Sequence, residues 1–285
     1  MQTPPVAIIV VNWNGADDTI ACVTSLQSLA YPNYKIIVVD NASTDDSAER
    51  IEQRFGSAID LIRNPINDGY AQGNNVGIAH ALQKYAPSFF WVLNNDATVE
   101  PGTLPALIER ATKPDTPGLV GSLIRYSDSE TVYCLGGGIL NTWTGIDRLL
   151  GAKLPLAKAY TPSHLSYVAG CSLFLSARVY SATGGFDPDY FLYSEEADLC
   201  LRATRAGFRI AYAPAAIVHH QSSKSTGYYS TTYIYYFLRN KLVFMKKNAA
   251  PWQYPTYLLV FFFYYCLGFL WKAWSLTRLP PSRSS

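Results

Sequence analysis

Four short apolar runs, at residues 6–11, 35–39, 59–62 and 89–93, constrain this chain more than any other feature. Each has the length of one strand and too little polar alternation to leave a face in water, as in a parallel sheet covered on both sides. Between the first two, Ile20, Val23, Leu26 and Leu29 recur every three residues and predict a helix over 17–29, stopped by Pro32. Side-chain oxygens of Ser43, Thr44 and Asp45 are expected to cap a second helix over 48–55, and a third helix is predicted over 71–85. Strand and helix thus alternate, the signature of an α/β fold with a Rossmann-like, mostly parallel central sheet flanked by helices.

Beyond residue 100 the pattern loosens. A helix is predicted over 103–111 and a strand near 119–124, and 127–160 reads as loop-rich, with Gly136, Gly137 and Gly138 available for positive φ. A strand over 168–175, a short helix over 179–183 and a turn at 184–188 follow. An amphipathic helix over 194–206 and a strand over 209–212 then lead, past Pro214, to Ile217-Val218-His219-His220.

The polar residues fall where the predicted strands end: Asn12, Asp40 with Asn41, Asn67, Asn74 with Asn75, and Asn94-Asn95-Asp96. Such ends converge on one crevice in an α/β sheet. A carboxylate at Asp40 can accept hydrogen bonds from a base N–H or from ribose hydroxyls. One at Asp96 can hold a divalent cation against a diphosphate. Taken singly, each has a plainer role as a turn or helix cap; the set points to a nucleotide.

Several chemistries are excluded by what is missing. There is no G-x-x-x-x-G-K-[ST], no H-E-x-x-H and no G-x-S-x-G. Gly69, Gly73 and Gly77 stand four apart, which is not the dinucleotide spacing. A net charge of +2 argues against nucleic-acid binding. The five cysteines contain no C-x-x-C pair, so neither a disulfide framework nor a zinc site is indicated and a reducing compartment is expected. The N-terminal MQTPPVAIIVVNWN has no basic region and no small-residue cleavage site, so the expected location is the cytoplasm.

The runs VAIIVVNWNG, IIVVDNASTDDS, NPINDGYAQGNNVGI, WVLNNDATVEPG and GGFDPDYFLYSEEADLCLRATRAGFRIAYAPAAIVHHQSS occur in this order. Together they resemble the family-2 glycosyltransferases of the GT-A fold, with the bacterial rhamnosyltransferase-like branch as the nearest likeness, over roughly residues 5 to 245. The resemblance implies a GT-A domain over 1–235, with a nucleotide-binding half to about 100 and an acceptor-binding half beyond it. Asp40 would recognise the base of a UDP-, dTDP- or GDP-linked sugar, with Asn12, Asn41, Asn67 and Asn74 along the nucleotide. Asn94-Asn95-Asp96 takes the place of the family's metal-binding D-x-D, with Asn94 where the first Asp stands. One carboxylate, Asp96, then remains to hold Mg²⁺ or Mn²⁺, helped by His219 or His220. Glu196 takes the place of the general base and Glu195 is its reserve, where the family usually shows Glu-Asp. Lys224 and Arg202 are further candidates for diphosphate contact, with a solvated surface position the favoured role for each; Gly170-Cys171-Ser172 is expected near the acceptor, with Cys171 a packing residue. The implied activity is inverting transfer of a sugar, rhamnose by similarity, to a hydroxyl of a glycan or lipid-linked glycan in cell-surface polysaccharide synthesis. A nucleotidyltransferase and a non-catalytic nucleotide-sugar-binding scaffold are the alternatives.

From Tyr233 the chain becomes aromatic and basic, and 256–271 runs for sixteen residues without a charge. Sixteen helical residues rise ~24 Å, against a hydrocarbon core of ~30 Å. An interfacial helix is therefore expected over a spanning one, helped by Lys241, Lys246 and Lys247. Residues 236–285 would form a helical extension that associates with the cytoplasmic face of a membrane or builds a homo-oligomer.

Overall fold

A computed structural model of the chain describes residues 3–127, 129–221 and 230–268. Its first half runs β1 (Val6–Asn12), α1 (Ala16–Leu26), β2 (Tyr34–Asn41), α2 (Ser47–Phe55), β3 (Asp60–Asn64), α3 (Gly69–Tyr85), β4 (Phe89–Asn94) and β5 (Ala97–Val99). The second half continues with α4 (Thr103–Ala111), β6 (Leu119–Tyr126), β7 (Val132–Leu135), β8 (Gly137–Leu140), β9 (Asp147–Leu149), β10 (Tyr167–Val168) and β11 (Ser172–Ser176). Then come α5 (Ala177–Thr183), α6 (Glu195–Arg205), β12 (Ile210–His220), α7 (Thr231–Asn248), α8 (Tyr254–Val260) and a π-helical turn, Phe261–Cys266.

The α/β class expected from the alternation is the one formed. The main sheet has the order β3-β2-β1-β4-β11-β6-β12-β5, with β7 pairing β6. It is parallel from β3 to β4 and mixed beyond, where β11 lies antiparallel between β4 and β6. The strand β1 explains why helices cover both faces. Val6, Ile8 and Val10 join one core cluster with Val23, Leu26 and Ile51, while Ala7, Ile9 and Val11 join another with Ala71 and Ile78. A two-residue period with both sets apolar leaves no face for water. Close approach also explains the spaced glycines of α3: a Cβ on Gly77 would stand 2.5 Å from Ile9 Cγ2. These residues let the helix lie against the sheet.

Several expectations are corrected. The helix α1 stops at Leu26, well short of Pro32. The Ser25 and Ser28 hydroxyls bond to Cys22 and Ser25 carbonyls and draw the chain into turns. Of the three residues expected to cap α2, Asp45 alone accepts the Ser47 N–H, because Ser43 and Thr44 bond to Asp40 and Asn14. The stretch 127–160, though loop-rich, also carries β7, β8 and β9, the last two in a second sheet of order β10-β8-β9. Its glycines mark close backbone contact more than a turn. A Cβ on Gly137 would meet the Tyr167 carbonyl at 1.9 Å, and of the three only Gly136 has positive φ. The strand expected at 168–175 is two, since β10 pairs β8 while β11 belongs to the main sheet. Conversely, β12 continues past Pro214, which sits in a register shift between Ala213 and Ile217.

The boundary expected at 235/236 falls inside α7. Phe244 and Met245 of α7 pack with Tyr190 and with Tyr257 of α8. No helix among the described residues is long and apolar enough to cross a membrane, and the expected apolar run lies outside them from Phe269 on.

Candidate active site

The C-terminal ends of β1, β2 and β4 open on a cleft of about 750 Å³, closed on the far side by the start of α6 and by α7. Its floor is a hydrogen-bonded layer of short polar side chains. Asn12, fully buried, donates to Asp40 Oδ1 at 2.7 Å and accepts from Thr19 Oγ1 at 2.7 Å. Asp40 also accepts the Ser43 hydroxyl and N–H. Asn74, also fully buried, donates to the Tyr70 carbonyl. Asn12, Asp40 and Asn74 therefore lie under the cleft, not in its lining, with Asn12 and Asp40 bonded to each other.

The lining brings together Asn41, Asn67, Asn94, Asn95, Asp96, Glu195, Glu196 and His220. Asn41 is fixed by Asn64, by Asn67 Oδ1 at 2.9 Å and by the Gly69 carbonyl. Asn95 reaches Thr19, and through it Asn12, tying β1 to the end of β4. Asn94 Oδ1 accepts the Tyr70 hydroxyl at 2.7 Å. Asn75, in contrast, faces away and holds both backbone groups of Phe186.

Asp96 and His220 form one end of the cleft. Neighbouring strand residues point to opposite faces, so the two histidines separate. His220 stands 3.1 Å from Asp96 Oδ1, whereas His219 pairs with Glu100 outside the cleft. Burial, the largest single influence, works to raise the Asp96 carboxyl, but the His220 contact together with backbone and Asn94 hydrogen bonds holds the group below its usual range. Apart from this 3.1 Å contact with His220, Asp96 Oδ1 is buried without a partner. Neighbouring ligands of an octahedral Mg²⁺, with bonds of about 2.1 Å, lie about 3 Å apart, so this pair fits one divalent ion. No cluster of three or more His, Cys, Asp or Glu side chains occurs among the described residues, so two protein ligands would leave the rest of the shell to water and phosphate.

Glu195 and Glu196 form the other end, in the first turn of α6. Both carboxyls are pushed up, first by burial, and Glu195 further by the charge of Glu196. Each has one buried oxygen without a partner. Glu195 is 4% exposed, while Glu196 is more open and lies beside Gly170, where an added Cβ would stand 3.5 Å from its side chain. Ahead of them, Tyr193 and Ser194 hold φ of 71° and 73°, a conformation uncommon outside glycine.

Three cleft residues were not anticipated in their roles. Lys241, expected at a membrane surface, is buried and paired with Asp147, over the rings of Phe237 and Tyr265. Asp147 also accepts the Tyr167 hydroxyl, and Tyr70 joins the α3 start to Asn94 and the Gly170 carbonyl. The Asn-Asp-Gly-Tyr run was a usable signal for Tyr70; Lys241 and Asp147, far apart in the chain, carry none. Arg202 is spent on Asp198 and on the Thr183 and Gly185 carbonyls, and Lys224 lies outside the described residues. Cys171 is buried with its thiol pushed well up by burial, as packing requires.

The family model described as glycosyl transferase family 2 matches residues 7–175, running from within β1 to within β11 and taking in the Asn94–Asp96 end of the cleft. The chain belongs to glycosyl transferase family 2. This family-2 chain is 25% identical over 268 residues to N-acetylglucosaminyl-diphospho-decaprenol L-rhamnosyltransferase of Mycobacterium tuberculosis, covering 88% of this chain and 87% of that one. It is 25% identical over 263 residues to rhamnosyltransferase WbbL of Escherichia coli K12, covering 85% and 96%. Among solved structures it resembles the mannosyltransferase PcManGT from Pyrobaculum calidifontis, in complex with GDP-Man and Mn²⁺. There the TM-score is 0.64 at 16% identity, over 100% of this chain and 77% of that one. The family-2 fold is therefore GT-A, and the nucleotidyltransferase reading is not favoured.

Proposed function

We propose that the protein is an inverting, cation-assisted glycosyltransferase moving a sugar from a nucleotide diphosphate to a hydroxyl of a lipid-linked glycan. Rhamnose is the sugar named for two of its relatives. The observation that carries this reading is the charge of the cleft. Asp96, Asp147, Glu195 and Glu196 line it, and Lys241, already paired with Asp147, is the one Lys or Arg among the described lining residues. A diphosphate entering such a cleft needs positive charge from solution. A divalent ion held by Asp96 and His220 would supply that charge and stabilise the departing diphosphate.

The chain's own groups supply the rest. Glu196, the more open carboxylate, takes the proton of the acceptor hydroxyl. The oxygen then forms its bond to the anomeric carbon from the side opposite the diphosphate. The bond to the leaving group breaks, and configuration inverts. Asn41 and Asn67 line the nucleotide side of the cleft above the Asp40 layer. Tyr70, kept protonated chiefly by burial and then by the charge of Glu195, remains a donor to Asn94.

The lipid-linked acceptor fits the outer face of α8 and the turn after it, where Leu259 and Phe263 are each 63% exposed. Lys247 is engaged by Asp187 and Asp189, so Lys246 is the basic residue most open to anionic headgroups. Vesicles with anionic lipid should pellet the wild type and lose the variant Phe262→Ser with Phe263→Ser; equal pelleting removes the membrane contact.

The deciding measurement is release of nucleoside diphosphate from a panel of nucleotide sugars with Mn²⁺ or Mg²⁺, for wild type and Glu196→Gln. Turnover lost in the variant with donor binding kept supports transfer. No turnover in either, with donor binding intact, returns the scaffold reading.

A further inference from the structure

The segment from Asp187 to Ser194, which carries the chain from α5 into α6, is held against a helix from the far end of the sequence. Arg239 of α7 donates to the Asp189 carbonyl at 2.9 Å, and Lys247 meets the Asp187 and Asp189 carboxylates at 2.5 and 2.6 Å. Tyr236 stacks on Phe191 with ring centres 4.6 Å apart, and Tyr233 meets Tyr193 edge-on at 5.3 Å. The last step is made by a buried amide. Asn240 is fully buried, and its amide nitrogen donates to the Leu192 carbonyl at 2.6 Å and the Tyr193 carbonyl at 3.1 Å. Its oxygen accepts from Arg239 at 2.6 Å, so all of its polar atoms are used.

The placement of those two bonds matters. They grip the carbonyls on either side of Tyr193, in the left-handed pair Tyr193–Ser194 that ends where α6 begins. Non-glycine residues keep such angles only where surrounding contacts over-determine them. The Ser194 side chain makes no cap bond, so the helix start has no local lock of its own. The direction in which Glu195 and Glu196 leave that turn is therefore set from α7.

We infer that Asn240 is a positioning residue for the transfer: its amide clamps the left-handed Tyr193–Ser194 turn and so aims Glu196 into the cleft. This rests on Glu196 being the base. Asn240 touches neither donor nor acceptor in this arrangement, so its loss acts on the rate of the chemical step more than on binding. Glycine takes positive φ without support, which gives a test that a merely structural contact would not pass.

The experiment measures kcat and both KM values for Asn240→Ser with Ser194 intact and in the Ser194→Gly background. With Ser194 intact, Asn240→Ser should lower kcat about tenfold and shift either KM by less than about threefold. In the Ser194→Gly background the same change should cost about twofold or less. This is the non-additivity expected of coupled sites. An equal penalty in both backgrounds overturns the inference, as does an unchanged kcat. If Asn240→Ser does not fold with Ser194 intact, folding restored by Ser194→Gly supports the clamp. Failure to fold in both backgrounds overturns it, because Asn240 then serves the whole fold. Glu196→Gln in the same assay separates the two levels. Turnover that survives it removes the base assignment itself, whereas loss there with no effect at Asn240 removes the clamp alone.

Discussion

The two ends of the cleft hold the same functional group in opposite states. Asp96 and Glu195 are carboxyls drawn largely out of solvent in a site of one net sign, yet Asp96 is held down and Glu195 is pushed well up. Burial acts on both in the same direction. The difference is the neighbour: His220 at 3.1 Å for Asp96, and a second carboxylate, Glu196, for Glu195. In the proposed reaction one end would hold a cation and the other would take up a proton; the opposite shifts keep an ionised carboxylate at the first and a proton acceptor at the second. Four changes would break or sharpen that contrast.

Glu196→Gln should have the largest effect, lowering transfer by about 10²- to 10⁴-fold, the usual weight of a general base. Nucleoside diphosphate release measures it, and a loss under about tenfold would place the base elsewhere. Asp96→Asn comes next, with about 10²-fold lost and the Mn²⁺ requirement shifted upward. Titrating Mn²⁺ into enzyme and nucleoside diphosphate by calorimetry checks this without turnover; unchanged ion binding would dismantle the cation end.

A pH profile sharpens the contrast further. The base works only when deprotonated, and its folded-state proton is held more tightly than usual. The rate should therefore climb with pH through an apparent value above the ordinary 4.5 of a glutamate. A profile already flat at pH 5 would contradict the buried pair. The smallest effect is on stability. A raised folded value means that Glu195 favours folding below its unfolded value and that this contribution is lost as pH rises through the folded one. Glu195→Gln should thus raise Tm at pH 8 by a few degrees, about 2–4 °C per kcal/mol in a chain of this size. The gap should close as the pH approaches the ordinary carboxylate range, and a variant less stable at pH 8 would show that Glu195 is charged and satisfied there.

Much of the first half could be read from the chain because its information is local. A strand buried on both faces writes itself as a run such as Ile8-Ile9-Val10, and its end shows as Asn12 or Asn94. The short strands within residues 127–160 were missed because Gly137 and Gly138 serve contact with Tyr167 from another strand, which looks like turn chemistry in sequence. The histidines were indistinguishable until β12 was known to continue past the register shift at Pro214, with His220 inward and His219 on Glu100. Lys241 and Asn240 were the hardest. A lysine in an aromatic-basic run looks like a surface group, and only the fold brings it to Asp147.

The antiparallel insertion of β11 between β4 and β6 has a consequence during synthesis. The edge formed by Phe90, Trp91, Val92 and Leu93 receives its partner only when Ser172–Ser176 has been made. At roughly 5–20 residues per second, that apolar edge waits on the order of 4–16 s after Asn94 leaves the ribosome. An unpaired edge of this kind is a template for other chains. The nascent protein is thus most vulnerable to aggregation between its two halves, and a ribosome stalled in that interval would present a finished parallel sheet with an apolar strand edge uncovered.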